Sequence, residues 1–269
     1  GTAQIADTET PVSVTITPQA ATEADANVIF NFQMSKPPQA GSDPVVLVVK
    51  VGASNYNVSI NSQGQGTLSV PNPNTEDVFK DASKLVATVV SGSGGNYEKI
   101  ETGATAIADI ADTIDTVYAK ISMVGTGSVN EGGNLTYKVE LVDKSGNSIS
   151  VPTGKSVSVN LEWSGNADAS DIEGTLPTSV TITGGKSSVE FNVKTFDDTK
   201  IESSETLTAT IKQVNDNNQV FENLAVGSQN VATGTIIDND KGPVITAPGS
   251  ASIIESGTAG GADVVLVLD

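Results

Sequence analysis

The chain has 269 residues, with 32 Asp and Glu against 14 Lys and Arg, and its formal charge of −18 excludes nucleic-acid binding and opposes docking on an anionic membrane. It has neither His nor Cys, which removes imidazole acid–base chemistry, thiol nucleophiles, disulfides and nitrogen- or sulfur-ligated zinc. Any metal would be held by oxygen, the chemistry of hard divalent cations.

Apolar residues make up 37% and aromatics 4%, the profile of thin β-domains with many turns, and the length suggests roughly two of them. No run is long enough to span a bilayer, so membrane insertion is not expected. The N-terminus lacks a basic-then-apolar signal segment. The chain opens and closes in what read as the middles of units, as a fragment of a longer protein would.

In chain order, residues 1–10 read as the end of a preceding unit or a linker. Residues 11–113 form a first unit, with strands expected at Val12–Thr17, around Val28, Phe30 and Phe32, at Val45–Val51, around Tyr56, Val58 and Ile60, and around Leu85, Ala87 and Val89. Only Thr75–Ser83 is expected to hold a short helical turn. Gly103–Ile110 closes this unit as a strand ending in acid, and Gly234–Asp240 repeats that close.

Residues 114–241 form the second unit. Leu135, Tyr137, Val139 and Leu141 alternate with polar residues, as do Val157, Val159, Leu161 and Trp163, then Val189, Phe191 and Val193, then Leu207, Ala209 and Ile211. Period two marks strands with one buried and one wet face, and clusters such as Asp143–Asn147 and Thr183–Lys186 supply turns. About seven short strands per unit predict an all-β chain of tandem immunoglobulin-like antiparallel sandwiches with Greek-key connections, joined end to end. Residues 242–269 read as a linker and the incomplete start of a third domain.

The segment Thr195–Leu207 packs four carboxylates between two alternating runs. Acids so dense repel and need open water or a hard cation, and Ca²⁺ takes six to eight oxygens in flexible geometry. Asn130-Glu131-Gly132, Ser170-Asp171 followed by Gly174 and Leu176, Asp197-Asp198 with Glu202 and Glu205, and the closing Asp238-Asn239-Asp240 occur in that order. With these motifs residues 117–240 resemble the Calx-β family. The resemblance implies a calcium cluster at one end of the sandwich, with Glu131, Asp171, Asp197, Asp198, Glu202, Glu205, Asp238 and Asp240 as ligands.

Residues 11–115 resemble the long-repeat domains of giant RTX-type bacterial biofilm adhesins, through Glu76–Ser83, Gly94-Gly95-Asn96-Tyr97-Glu98 and Asp109–Thr116. Asp77, Asp81, Asp109 and Asp112 are the further ligand candidates there. Thr22-Glu23-Ala24-Asp25 departs from the usual Glu-Gly-Gly, and Glu23 is left outside the set. Ala262–Asp269, a continuous apolar run ending in Asp, reads either as the opening strand of a von Willebrand factor A domain or as a truncated strand of a third sandwich.

Trp163 suggests a sugar platform, yet it shares a face with Val157, Val159 and Leu161, so core packing is expected. A carboxylate pair can run glycoside hydrolysis, but these acids follow a cation motif without a cleft-forming insertion. The expected role is therefore non-enzymatic: a calcium-stabilised extender of a secreted adhesin on the bacterial cell surface, serving adhesion and biofilm formation. Its expected partners are the neighbouring domains of the same chain, and a monomer is expected. The alternatives are a module binding a surface glycan or protein ligand, and an accessory module of an extracellular hydrolase.

Overall fold

The structure is a computed structural model that describes residues 9–242. The expectations for residues 1–8 and for residues 243–269, Ala262–Asp269 among them, lie outside the described residues. Within them the chain is all-β, with two hydrophobic cores in sequence.

The first sandwich contains β1 (Val14–Pro18), β2 (Ala21–Thr22), β3 (Asn27–Met34), β4 (Val45–Val51), β5 (Ser54–Ile60), β6 (Gln65–Pro71), β7 (Ser83–Ser93) and β8 (Thr105–Ala111). One sheet has the order β1-β3-β6 and the other β2-β8-β7-β4-β5. Alternation does the sorting: Val28, Phe30 and Phe32 on β3 and Val45, Leu47 and Val49 on β4 face inward and are at most 2% exposed. Each such side chain contributes about 1.5–3 kcal/mol by leaving water.

The second sandwich contains β9 (Thr116–Met123), β10 (Ser128–Asn130), β11 (Asn134–Val142), β12 (Ser156–Gly165), β13 (Ile172–Glu173), β14 (Ser179–Thr183), β15 (Ser188–Thr195), β16 (Glu205–Asp216), β17 (Asn223–Val226) and β18 (Val231–Ile237). Its sheets are ordered β10-β18-β16-β12-β14 and β13-β15-β11-β9-β17. Pairing is antiparallel except at three edges, where β2 runs parallel to β8, β10 to β18 and β17 to β9.

Tyr137 fastens the two sheets of the second sandwich together. Its ring is fully buried, stacks on Phe191 at 5.6 Å and meets Trp163 edge-on at 5.2 Å. Its hydroxyl donates to the Leu207 carbonyl at 2.7 Å across the sandwich, so a polar atom in the core is satisfied. Burial raises the phenol well above its ordinary range.

The helical turn expected at Thr75–Ser83 is absent, and the segment is an irregular link into β7. Asp77 Oδ1 accepts from its own Phe79 amide at 2.6 Å, a local turn that competes with helix. Further backbone groups pair with the second sandwich. Phe79 bridges antiparallel to Phe221, the Lys80 amide donates to the Val220 carbonyl at 2.9 Å, and the Glu222 amide donates to the Val78 carbonyl at 3.1 Å. Val78 and Phe79 pack against the core of the second sandwich.

Candidate metal centre

The strand register gathers the eight acids of the second sandwich at one end. Asn130 on β10 pairs with Ile237 on β18, Glu205 on β16 pairs with Ile236, Asn134 on β11 pairs with Lys194, and Ile172 on β13 pairs with Thr195. The turns leaving these strand ends therefore meet. They carry Glu131, Asp171, Asp197, Asp198, Glu202, Asp238 and Asp240, while Glu205 opens β16.

Backbone hydrogen bonds fix the turns to one another. The Gly132 amide donates to Phe196 O at 2.8 Å, the Phe196 amide to Asp171 O at 2.9 Å, and the Glu131 amide to Ile237 O at 3.1 Å. Gly132 has φ +74°, and a Cβ there would lie 3.0 Å from that of Asp197, so this turn suits glycine on both counts.

Two triads result, each with one oxygen per residue within 4.8 Å of the others: Glu131, Asp198 and Asp240, and Asp171, Glu202 and Glu205. A small cavity of ≈ 10 Å³ lies among Glu131, Asp171, Asp198 and Glu202 and is also lined by Ser170, Phe196 and Ile236. The other two acids stand beside the triads. Asp238 uses its oxygens to accept from the Glu202 and Asp240 amides, both at 2.9 Å, and Asp197 is exposed and accepts from Asn239 Nδ2 at 3.2 Å.

The electrostatics are unbalanced. Glu131 Oε2 and Asp240 Oδ2 are buried without a hydrogen-bond partner. Burial, then the neighbouring acids, raises the carboxyls of Glu131 and Asp240, and Glu205 is pushed up to about 7 by burial and by Asp171. Among the described residues one cation pairs with the cluster, the exposed ammonium of Lys200, which meets Glu202. Like charges 4 Å apart repel by about 1 kcal/mol in water and about 4 kcal/mol at a partly desolvated surface. Acids converging from four turns, two of their carboxylate oxygens orphaned, in a chain without His or Cys, fit a hard divalent cation such as Ca²⁺.

A second acidic cluster lies at the junction of the sandwiches. Asp77, Asp81 and Asp112, expected as ligands from sequence, come together there, and Glu23 and Glu222 join them: Glu23, Asp77 and Asp81 form one triad, and Glu23, Asp112 and Glu222 another. Asp109 does not join them. It lies between the inward residues Ala108 and Ile110 on β8, so the two-residue period turns it outward, where it pairs with Lys84 at 2.6 Å. Sequence reasoning left Glu23 out and missed Glu222, a single acid after Phe221 with no motif around it.

Trp163 is half-buried between Tyr137 and Phe191, with its indole N–H donating to Pro177 O at 2.8 Å. It serves the core, and the sugar platform loses its aromatic ring.

Residues 7–113 match the LapA domain family, a family of biofilm adhesins, in the region where adhesin repeats were expected. No curated protein matches the chain. Among solved structures, the apo form of the Calx CBD1 domain is similar at 15% identity over 46% of this chain and 99% of that one, with a TM-score of 0.33. The CBD12 pair from CALX1.2 is similar at 11% identity over 83% of this chain and 98% of that one, TM-score 0.33. A 1.5-MDa bacterial ice-binding adhesin is similar at 14% identity over 86% of this chain and 67% of that one, TM-score 0.23. At such identities no residue correspondence follows from these structures. The chain resembles an adhesin fragment, with a LapA domain match in its first sandwich and the Calx-β motifs in its second.

Proposed function

We propose that this chain is a calcium-stabilised extender of a secreted bacterial cell-surface adhesin, holding an adhesive part of a longer protein away from the cell. The observation that carries the reading is the end cluster of the second sandwich, where buried carboxylate oxygens of Glu131 and Asp240 lack partners and face further acids. The LapA domain match supports an adhesin and, with it, an extracellular location and a role in biofilm.

Glu131, Asp171, Asp198, Glu202, Glu205 and Asp240 would hold the ions, with Asp197 and Asp238 beside them. Bound calcium would supply positive charge where the chain has gathered negative charge. The role is mechanical and not catalytic. Ligands that converge only in the folded sandwich couple cation binding to folding, so the segment is stiffer where calcium is plentiful. Its partners on this reading are the neighbouring domains of its own chain, and the chain acts as a monomer.

Isothermal titration of the full chain with calcium tests this. Binding is expected, and Asp198→Ala should remove it at the end cluster, lowering the stoichiometry. An Asp198→Ala chain that binds as many ions as the parent contradicts the assignment.

A further inference from the structure

We propose that the second sandwich carries a saccharide site on the outer face of β9, where Tyr118, Lys120, Lys144, Ser228 and Gln229 line a pocket suited to a hexuronate unit of an acidic polysaccharide. The pocket shares no residue with the acidic triads, and it stands without the calcium reading.

The alternation that buries Val117, Ala119 and Ile121 turns Tyr118 and Lys120 outward on β9. On one side the chain leaves β17 at Gly227, whose amide donates to the Ala119 carbonyl at 2.8 Å, and the Ile121 amide donates to the Gln229 carbonyl at 2.9 Å. A Cβ on Gly227 would stand 3.0 Å from Ala119 O and 3.3 Å from Tyr118 Cβ, so glycine lets this wall come close to β9. On the other side stands the turn after β11, locked by Asp143 Oδ1, which accepts from the Ser145 and Asn147 amides at 2.8 Å each. Between the walls lies a cavity of ≈ 430 Å³, within the size range of small-ligand sites.

The groups with unspent capacity are donors. Among the described residues Lys120 Nζ pairs with Glu140 alone, at 3.3 Å, and shares that carboxylate with Lys138 at 3.2 Å. Lys144, its side chain 73% exposed, pairs with Asp115 alone, at 2.9 Å. An ammonium carries three N–H groups, so both lysines keep donors for a ligand. The acceptors are taken: Asp143 Oδ2 by Asn147 Nδ2 at 2.8 Å, and the Ala119 and Gln229 carbonyls by backbone amides.

A donor-rich pocket favours an acceptor-rich ligand, and a carboxylate binds an ammonium more strongly than a hydroxyl does. Tyr118 adds an aromatic ring beside the polar groups, a pairing that suits the C–H face and hydroxyl rim of a sugar. An acidic peptide offers carboxylates on flexible stems without that face. The charge of −18 on the whole chain opposes a polyanion from afar, but salt screens it beyond about 8 Å, so the nearby ammoniums decide.

Amide chemical shifts of the full chain, titrated with a galacturonate trimer in chelator, test the site. Chelator keeps calcium from bridging the ligand to the acidic clusters, so the outcome is independent of the cation sites. Shifts are expected at the Lys120, Gly146, Gly227 and Gln229 amides, and the galactose trimer of the same linkage should bind about tenfold more weakly. Lys120→Gln, and Lys144→Gln at an exposed position, should each weaken binding of the galacturonate trimer by about three- to tenfold. Tyr118→Ala should weaken both trimers alike. An unchanged spectrum, shifts confined to other amides, equal binding of the neutral trimer, or parental affinity in both lysine variants would overturn the proposal and leave the proposed function standing. Hexa-aspartate binding at the same amides as tightly as the galacturonate trimer would overturn it too, because the pocket would then recognise charge alone.

Discussion

Phe79 of the first sandwich stacks on Phe221 of the second, with ring centroids 5.4 Å apart and planes inclined by 29°, and their backbones share an antiparallel bridge. The second core therefore extends into a segment that precedes it in sequence by the whole of β7 and β8.

Truncating either ring should destabilise the second sandwich. Phe221 is 2% exposed, and Phe221→Ala should cost about 3–5 kcal/mol. Phe79 is half-buried, and Phe79→Ala should cost about 1–3 kcal/mol. Trp163 is the single tryptophan of the chain and lies in the second core, so its fluorescence in urea reports that core alone. An unchanged urea midpoint in Phe79→Ala would show that the two sandwiches are packed independently.

Glu205 and Glu222 are both raised from 4.5 to about 7, chiefly by burial and then by Asp171 and Glu23 respectively. A carboxyl that holds its proton more tightly when folded makes stability fall as pH rises from about 4.5 to about 7. The lowered acids, Asp115, Glu140, Asp143 and Asp168, titrate below that window. In calcium-free buffer the chain should melt at a higher temperature at pH 5 than at pH 7.5. Saturating calcium should reverse the order, because ligands must be deprotonated to bind. Thermal melts at the two pH values check this, and a lower calcium-free melting temperature at pH 5 would contradict it.

Lys200 occupies the place of a weak internal counter-ion, paired with Glu202 and raised by that carboxylate. Replacing it by Gln should tighten calcium binding at the end cluster by a few-fold at low salt, and the gain should shrink at high salt as screening grows. Calorimetry at two ionic strengths reads both effects. Weaker binding in Lys200→Gln would mean that the ammonium organises the loop and does not compete with the cation.

Gly132→Ala forces a side chain into φ +74° against Asp197. The strain should cost about 1–2 kcal/mol and push Asp197 out of line. Lowered stability together with lowered calcium affinity is expected from melts and titrations, and a stable variant with parental affinity would separate this turn from the site.

Much of the fold was legible because burial in a sandwich obeys a short local rule. Leu135, Tyr137, Val139 and Leu141 alternate in sequence and are at most 1% exposed. The end cluster was legible for a related reason: its acids leave strand ends whose register is fixed by those alternating runs. Asp109 misled because an acidic motif at a unit's close looks the same whether its strand turns it inward or outward. Glu23 was not legible because the Thr113 amide and hydroxyl that hold its carboxylate lie 90 residues away in sequence, and Glu222 and the Thr75–Ser83 link because their backbones pair across the two sandwiches. Asp77, Val78 and Phe79 carry a local pattern compatible with a helical turn, and the Asp77–Phe79 turn together with the Val220–Glu222 strip decides against it.

The central claim is that cations replace missing positive charge and so stabilise the sandwiches. The most direct measurement is the melting temperature of the full chain in millimolar calcium and in chelator at pH 7.5, beside Asp198→Ala. A rise with calcium is predicted for the parent, smaller in Asp198→Ala, because stabilisation follows occupancy of sites that exist only in the folded chain. The same melting temperature in calcium and in chelator would contradict the account.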